Sequence, residues 1–149
     1  MTRIDPTNLF GFLIQDIARL LSRAFEQQAS ELNISRPQAR LLAYVALSEG
    51  AKQTEIAALM DIQKITLTKL VDGLETMKLI ERRPDPSDRR VRRLYMAAGA
   101  HSVLDNIWQL LSEVSNAALA PLSSERKLAL IEDLATIRDH AIDSNAPNK

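Results

Sequence analysis

The sequence of 149 residues contains no cysteine, which excludes disulfides, thiol nucleophiles and any switch that works by oxidising a thiol. Only two histidines occur, His101 and His140. Neither has a second imidazole at helical spacing, so a zinc site would need mostly carboxylates, and no metal is expected. With four glycines there is no glycine-rich phosphate loop and no nucleophile elbow, so the chain is expected to be no enzyme, with no catalytic residue and no cofactor. No apolar run approaches the roughly 18 residues of a membrane span, and the start Met1-Thr2-Arg3-Ile4-Asp5-Pro6 lacks the layout of a signal peptide. A cytoplasmic protein without a membrane partner is the expectation. The 19 basic residues balance the 19 acidic ones, so the overall charge does not point to nucleic acid.

The charge is nevertheless concentrated. Six arginines fall between Arg82 and Arg93, and from Lys52 to Arg93 ten Lys and Arg stand against seven Asp and Glu, a local surplus of three. The turn residues Pro84, Asp85, Pro86, Ser87 and Asp88 separate two short runs, Leu79–Arg83 and Val91–Ala97, rich in Ile, Val, Leu and Tyr. That pattern predicts a β-hairpin with a charged tip. Arg82, Arg83, Arg89, Arg90 and Arg92 are expected to replace counterions at DNA phosphates. Asp88 is expected to orient Arg90, or to accept hydrogen bonds from Arg82 or Arg83 on the facing strand. Arg90 would then point into a minor groove, whose negative potential attracts arginine.

Elsewhere apolar residues recur at helical spacing. A first helix is expected from Pro6 to about Ser30, with Leu9, Leu13, Ile17, Leu20 and Ala24 on one stripe and Phe10, Ile14, Leu21 and Phe25 on another. The second opens on Ser35-Arg36-Pro37-Gln38, a capping-box pattern, carries Leu41, Leu42, Val45 and Ala46, and ends at Gly50. A third spans Gln53 to Met60 with Ile56, Ala57 and Leu59 inward. A fourth, Gln63 to Met77, carries Leu67, Leu70, Val71 and Leu74 at i, i+3, i+4 and i+7. A fifth runs from Gly99 to about Leu119 and is broken by Pro121, and a sixth starts at Ser123 or Ser124. The tail from Ser144 has nothing to bury.

Two short helices joined by a tight turn and followed by a hairpin make a winged helix-turn-helix. The fold class is therefore mainly α with a small β wing: residues 35–98 form the reading unit, and 1–34 with 99–149 form a helical dimerisation region. In that geometry the fourth helix enters the major groove. Opposite its core stripe stand Gln63, Lys64, Ile65, Thr66, Thr68 and Lys69. Gln suits adenine, Lys suits guanine or phosphate, and Thr or the exposed Ile65 suits a thymine methyl. The terminal helices are too apolar for one face, which is met most simply by a homodimer whose terminal helices interlock. The competing reading is a winged-helix module whose arginines meet acidic protein partners without specific DNA binding.

The segments Asp85-Pro86-Ser87-Asp88-Arg89-Arg90 with Leu94 after it, Leu67-Thr68-Lys69-Leu70-Val71-Asp72-Gly73-Leu74-Glu75, and Ser35-Arg36-Pro37-Gln38 resemble the MarR family of bacterial transcriptional regulators over about Leu9 to Ile142. The resemblance implies a dimer on a pseudo-palindromic operator of double-stranded DNA, usually a repressor, often released by a small phenolic or other aromatic anionic effector. It places an effector pocket near Phe12, Arg40, Tyr44 and the start of the fifth helix. The family usually has glycine where Lys78 stands, so the fourth helix is expected to end without an easy left-handed residue and to need another cap for its carbonyls. It usually has a basic residue where Gly73 stands, which removes a phosphate contact.

Overall fold

The computed structural model describes residues 5–145. The layout expected for Met1–Ile4 and for the tail beyond Asn145 lies outside the described residues, whereas Ser144 and Asn145 belong to the last helix. After a 3₁₀ turn at Pro6–Asn8 come α1 (Phe10–Gln28), a second 3₁₀ turn (Ser30–Leu32), α2 (Arg36–Leu47), α3 (Gln53–Met60) and α4 (Lys64–Thr76). The strands β1 (Ile80–Pro84) and β2 (Arg92–Met96) follow, then α5 (Ala100–Leu119) and α6 (Ser124–Asn145). The chain divides into two compact units, one through Val114 and one from Ser115, the division falling within α5.

In the first unit the N-terminal proline starts a 3₁₀ turn rather than α1, because Asp5 accepts the Thr7 amide at 2.9 Å and closes the turn locally. The capping box of α2 is formed: Ser35 Oγ accepts the Gln38 amide and Gln38 Oε1 accepts the Ser35 amide. Helix α2 ends at Leu47 with Ser48 as its cap, two residues before the expected Gly50. Gly50 has a positive φ of 83°, and a Cβ there would lie 3.3 Å from the Tyr95 hydroxyl. Its absence lets the loop run close beneath the hairpin. Helix α3 has no Ser or Thr cap, but Glu55 accepts the Lys52 amide at 2.7 Å.

Leu41, Leu42 and Val45 of α2, Ile56 of α3, Leu67, Val71 and Leu74 of α4, Ile80 and Leu94 of the hairpin, Phe25 of α1 and Ile107 of α5 form the core. Each such side chain contributes roughly 1.5–3 kcal/mol by leaving water. One inward assignment is overturned: Leu59 is exposed, and Met60, one turn beyond Ile56, is buried in its place. Ala46 and Leu70 are only half-buried. The hairpin is antiparallel with Ile80 opposite Met96 and Pro84 opposite Arg92. The α2–α3 loop pairs with its outer edge, Gly50 N donating to Leu94 O and Leu94 N to Ala51 O at 2.8 and 3.0 Å.

Both helices of the helix-turn-helix end in the same way. At the end of α3, Asp61 N donates to Ala58 O and Ile62 N to Ala57 O; at the end of α4, Lys78 N donates to Glu75 O and Leu79 N to Leu74 O. These are Schellman caps. Asp61 and Lys78 occupy their left-handed positions at φ 52° and 57°. The expectation that the carbonyls of α4 need another cap is thus overturned, because Lys78 itself takes the left-handed conformation.

At the cap of α1 and along its length, Leu9, Phe10, Phe12, Leu13, Ile14, Ile17 and Leu20 remain exposed, and Phe25 is the one buried residue of the helix. In the second unit, α6 exposes Leu128, Ile131, Ile137 and Ile142. Among the described residues no helix is long and apolar enough to cross a membrane.

Candidate nucleic-acid interface

The buried stripe of α4 turns its other side outward, so Gln63, Lys64, Ile65, Thr66 and Lys69 are left at the surface, Ile65 at 61%. Thr68 is different. Its hydroxyl donates to Lys64 O at 2.9 Å and accepts from Gln53 Nε2 at 3.2 Å, which commits its polar group within the protein. Gln53, at the start of α3, is a residue that sequence reasoning passed over, since a contact between neighbouring helices leaves no mark in local spacing.

The wing arginines fall into two groups. Arg89, Arg90 and Arg92 are exposed, with the Arg90 side chain 91% accessible. Arg92 Nη1 donates to Arg89 O at 2.7 Å. Arg83 is exposed too, lying 4.2 Å from the centre of the Tyr95 ring and paired with Glu81 at 2.9 Å. Arg82 is turned inward: its guanidinium donates to Asp72 and Glu75 of α4 and to Thr68 O. Arg82 therefore fastens the base of the wing to α4 instead of standing open. Arg93, absent from the expected site, pairs with Asp85 at 2.6 Å and donates to Gly50 O at 2.7 Å.

Asp88 acts on Arg90 alone, not on Arg82 or Arg83. Its Oδ1 accepts the Arg90 amide at 3.0 Å and Nε at 3.2 Å. Hydrogen bonding from the Arg90 side chain, then from its amide, holds the Asp88 carboxyl below the usual carboxylate range. Asp85 is buried and accepts the amides of Ser87 and Asp88 at 2.8 and 3.1 Å. Those bonds, the Ser87 amide foremost and Arg93 next, hold its carboxyl down as well. The one sequence signal for Asp85 was the Asp-Pro-Ser order, which suits an Asx turn.

A cleft of about 780 Å³ opens in the same unit, lined among others by Arg36, Arg40, Tyr44, Met60, Thr66 and Trp108. Arg40 lies 5.3 Å from the centre of the Tyr44 ring and donates to Met60 O, the last carbonyl of α3, at 3.3 Å. Arg36 donates to Ala18 O and Ser22 Oγ. Burial, with the Arg40 charge second, pushes its pKa down. Phe12, expected at this pocket, is not part of its lining; it stands half-exposed on α1. Arg40 and Tyr44 do line it.

An α3–turn–α4 pair carrying a basic outer face, with a hairpin clamped beside it, defines a winged helix-turn-helix protein. The sequence profile of the MarR family matches residues 32–91, from just before α2 into the wing. That match covers the helix-turn-helix and the first strand of the wing, and over this stretch the chain is similar to the MarR family. It is 23% identical over 145 residues to the HTH-type transcriptional repressor NicR of Pseudomonas putida, covering 97% of this chain and 90% of that protein. Among solved structures it is similar to a mutant of Escherichia coli MarR complexed with operator DNA, with a TM-score of 0.77 and 20% identity over 85% of this chain and 91% of that one. It is also similar to the transcriptional repressor CouR bound to a 23-mer DNA duplex, with a TM-score of 0.82 and 23% identity over 92% and 99%. These likenesses establish the fold.

Proposed function

We propose that the protein is a homodimeric, sequence-specific DNA-binding transcriptional regulator, a repressor, that reads a pseudo-palindromic operator and is released by a small aromatic anion. The observation that carries this reading is the outward face of α4, where Lys64, Ile65, Thr66 and Lys69 stand at the surface beside a wing whose Arg90 guanidinium is open to solvent. The structures of E. coli MarR and CouR with DNA support the assignment to double-stranded DNA. Lys64, Ile65, Thr66, Lys69 and Gln63 read bases or adjacent phosphates, the Thr68 methyl completes the face, and Arg83, Arg89, Arg90 and Arg92 meet the backbone or minor groove.

A two-fold dimer sets its two reading helices in successive major grooves, about 34 Å apart. The exposed apolar rows of α1 and of α6 support a second copy as their cover. The cleft supports the effector: Arg36 and Arg40 supply positive charge, and Tyr44 and Trp108 supply aromatic faces. Because Arg40 also caps the end of α3, an anion that draws its guanidinium away frees the turn that leads into α4. A coupling of about 1–3 kcal/mol changes operator affinity roughly 5- to 150-fold.

Sequencing random DNA fragments selected by the purified protein tests the reading. Inverted repeats with half-sites about one helical turn apart are expected, and Lys64→Ala or Thr66→Ala should shift the preferred half-site. Failure to enrich any sequence, together with absence of binding to random duplex at low salt, would refute it.

A further inference from the structure

The wing tip is fastened from behind by a continuous line of polar contacts that no DNA needs to complete. The α2–α3 loop presents Gly50 O to Arg93 Nη1 at 2.7 Å, and Arg93 Nε reaches Asp85 Oδ2 at 2.6 Å. The other carboxylate oxygen, Asp85 Oδ1, takes the amides of Ser87 and Asp88. Asp88 O then accepts the Val91 amide at 2.9 Å, closing the turn, while the Asp88 carboxylate grips Arg90 at its amide and guanidinium. Gly50 itself is held by the hydrogen bond its amide donates to Leu94 O. Loop, strand, turn and exposed guanidinium are thus joined in sequence.

Charge alone does not account for this arrangement. Two carboxylates placed within five residues of Arg90 reduce the positive potential that a polyanion would feel. A wing selected only for attraction would be better without them. What they supply is orientation: a free arginine side chain carries about 2 kcal/mol of rotamer entropy, and a guanidinium already aimed loses less of it on binding. Asp85 is the buried member of the line, and both of its carboxylate oxygens accept from N–H donors inside the wing. The Arg93 side chain is 30% accessible and has two separate acceptors, one for Nε and one for Nη1. Lysine has one nitrogen and cannot span both.

We propose that Asp85 and Arg93 are positioning residues of the wing: from the α2–α3 loop they set the Asp88–Arg90 tip in the geometry in which Arg90 meets DNA, without touching DNA themselves. The inference rests on the reading of Arg90 as a DNA contact. A double-mutant cycle on the full chain, read by fluorescence anisotropy with random-sequence duplex over a range of salt, tests it. Arg90→Ala should weaken binding and lower the salt slope by about one. Arg93→Lys keeps the charge, so it should leave the slope at its wild-type value while weakening binding about three- to tenfold. The Arg90→Ala/Arg93→Lys double variant should bind no worse than Arg90→Ala alone, since there is no longer a guanidinium to aim. Asp85→Glu, which keeps the charge but displaces the carboxylate by one methylene, should reproduce the Arg93→Lys pattern and provides the second route should Arg93→Lys lower the melting temperature.

Wild-type affinity for both Arg93→Lys and Asp85→Glu, in a protein where Arg90→Ala does weaken binding, would overturn the positioning role and leave the DNA reading intact. Losses that multiply in the double variant would do the same, because they would mark Arg93 as acting independently of Arg90. Wild-type binding by Arg90→Ala would instead remove the wing contact on which the inference stands.

Discussion

Asp85 and Asp88 stand three residues apart in one turn and do opposite jobs, one facing the interior of the hairpin and one facing its tip. Asp85 spends both oxygens on amides and on Arg93, whereas Asp88 stays partly open and holds Arg90. Both carboxyls titrate below the ordinary value of about 3.9 because the folded wing binds their ionised forms. The stabilisation they give is therefore complete above the unfolded-state value and is lost as pH falls below it, through the lower native values. In a pH titration from about 5 downward, the movement of the Ser87 and Asp88 amide resonances should have its midpoint below about 3.9. Asp85→Asn should shift them at every pH and abolish most of that step. Movement centred well above about 3.9 in the wild type would contradict the assignment. The position of Asp85 in an Asx turn was readable from its neighbours. Its pairing with Arg93 was not, because that contact depends on strand register across the hairpin.

At the scale of elements, the bounds of α3, α4 and α5 were legible to within a residue, whereas the start of α1 and the end of α2 were not. The Ser35–Gln38 capping box needs only residues within one turn, so sequence and structure agree on it, and the hairpin runs were displaced by a single residue at most ends. The caps at the ends of α3 and α4 obey tertiary packing instead. In each Schellman cap an apolar residue follows the left-handed one, Ile62 after Asp61 and Leu79 after Lys78, and Leu79 is buried with Leu74. Burying Leu79 fixes where α4 must turn back, and Lys78 accepts a left-handed conformation as the consequence. A non-glycine residue in that region costs about 1–2 kcal/mol. Lys78→Gly should therefore raise stability by about 0.5–1 kcal/mol after the entropy of glycine in the unfolded chain is counted, seen as a higher urea midpoint at unchanged slope. A lower midpoint would show that the Lys78 side chain has a compensating partner. Gly73 has a similar origin: a Cβ on it would come within 2.5 Å of Gln38 Nε2, so the missing basic residue of α4 coincides with close approach of the α2 capping box.

For the whole molecule, the decisive feature is apolar surface that one chain leaves uncovered. Seven large side chains from Leu9 to Leu20 are each at least 38% exposed, more than isolated surface apolar residues explain. On the proposed two-copy reading, folding and DNA binding depend on protein concentration. Light scattering should give a mass of twice 16.6 kDa. Placing aspartate at both Ile17 and Leu20 should move it toward the single-chain value and weaken operator binding together. A wild-type protein that stays at 16.6 kDa would refute the two-copy reading.

The amino-acid order alone determined which segments are helix or strand, which face of each is apolar, and that the wing is basic, because propensity, periodicity and turn chemistry act over a few residues. Only the tertiary structure decided which arginines are free and which are fastened. Arg82 goes to Asp72 and Glu75, Arg93 to Asp85 and Gly50, and Arg90 remains at the surface. The arginines of the wing share one side chain and one charge. What separates them is which carboxylates the fold brings within hydrogen-bonding distance, and that is a property of packing between elements rather than of any local stretch of chain.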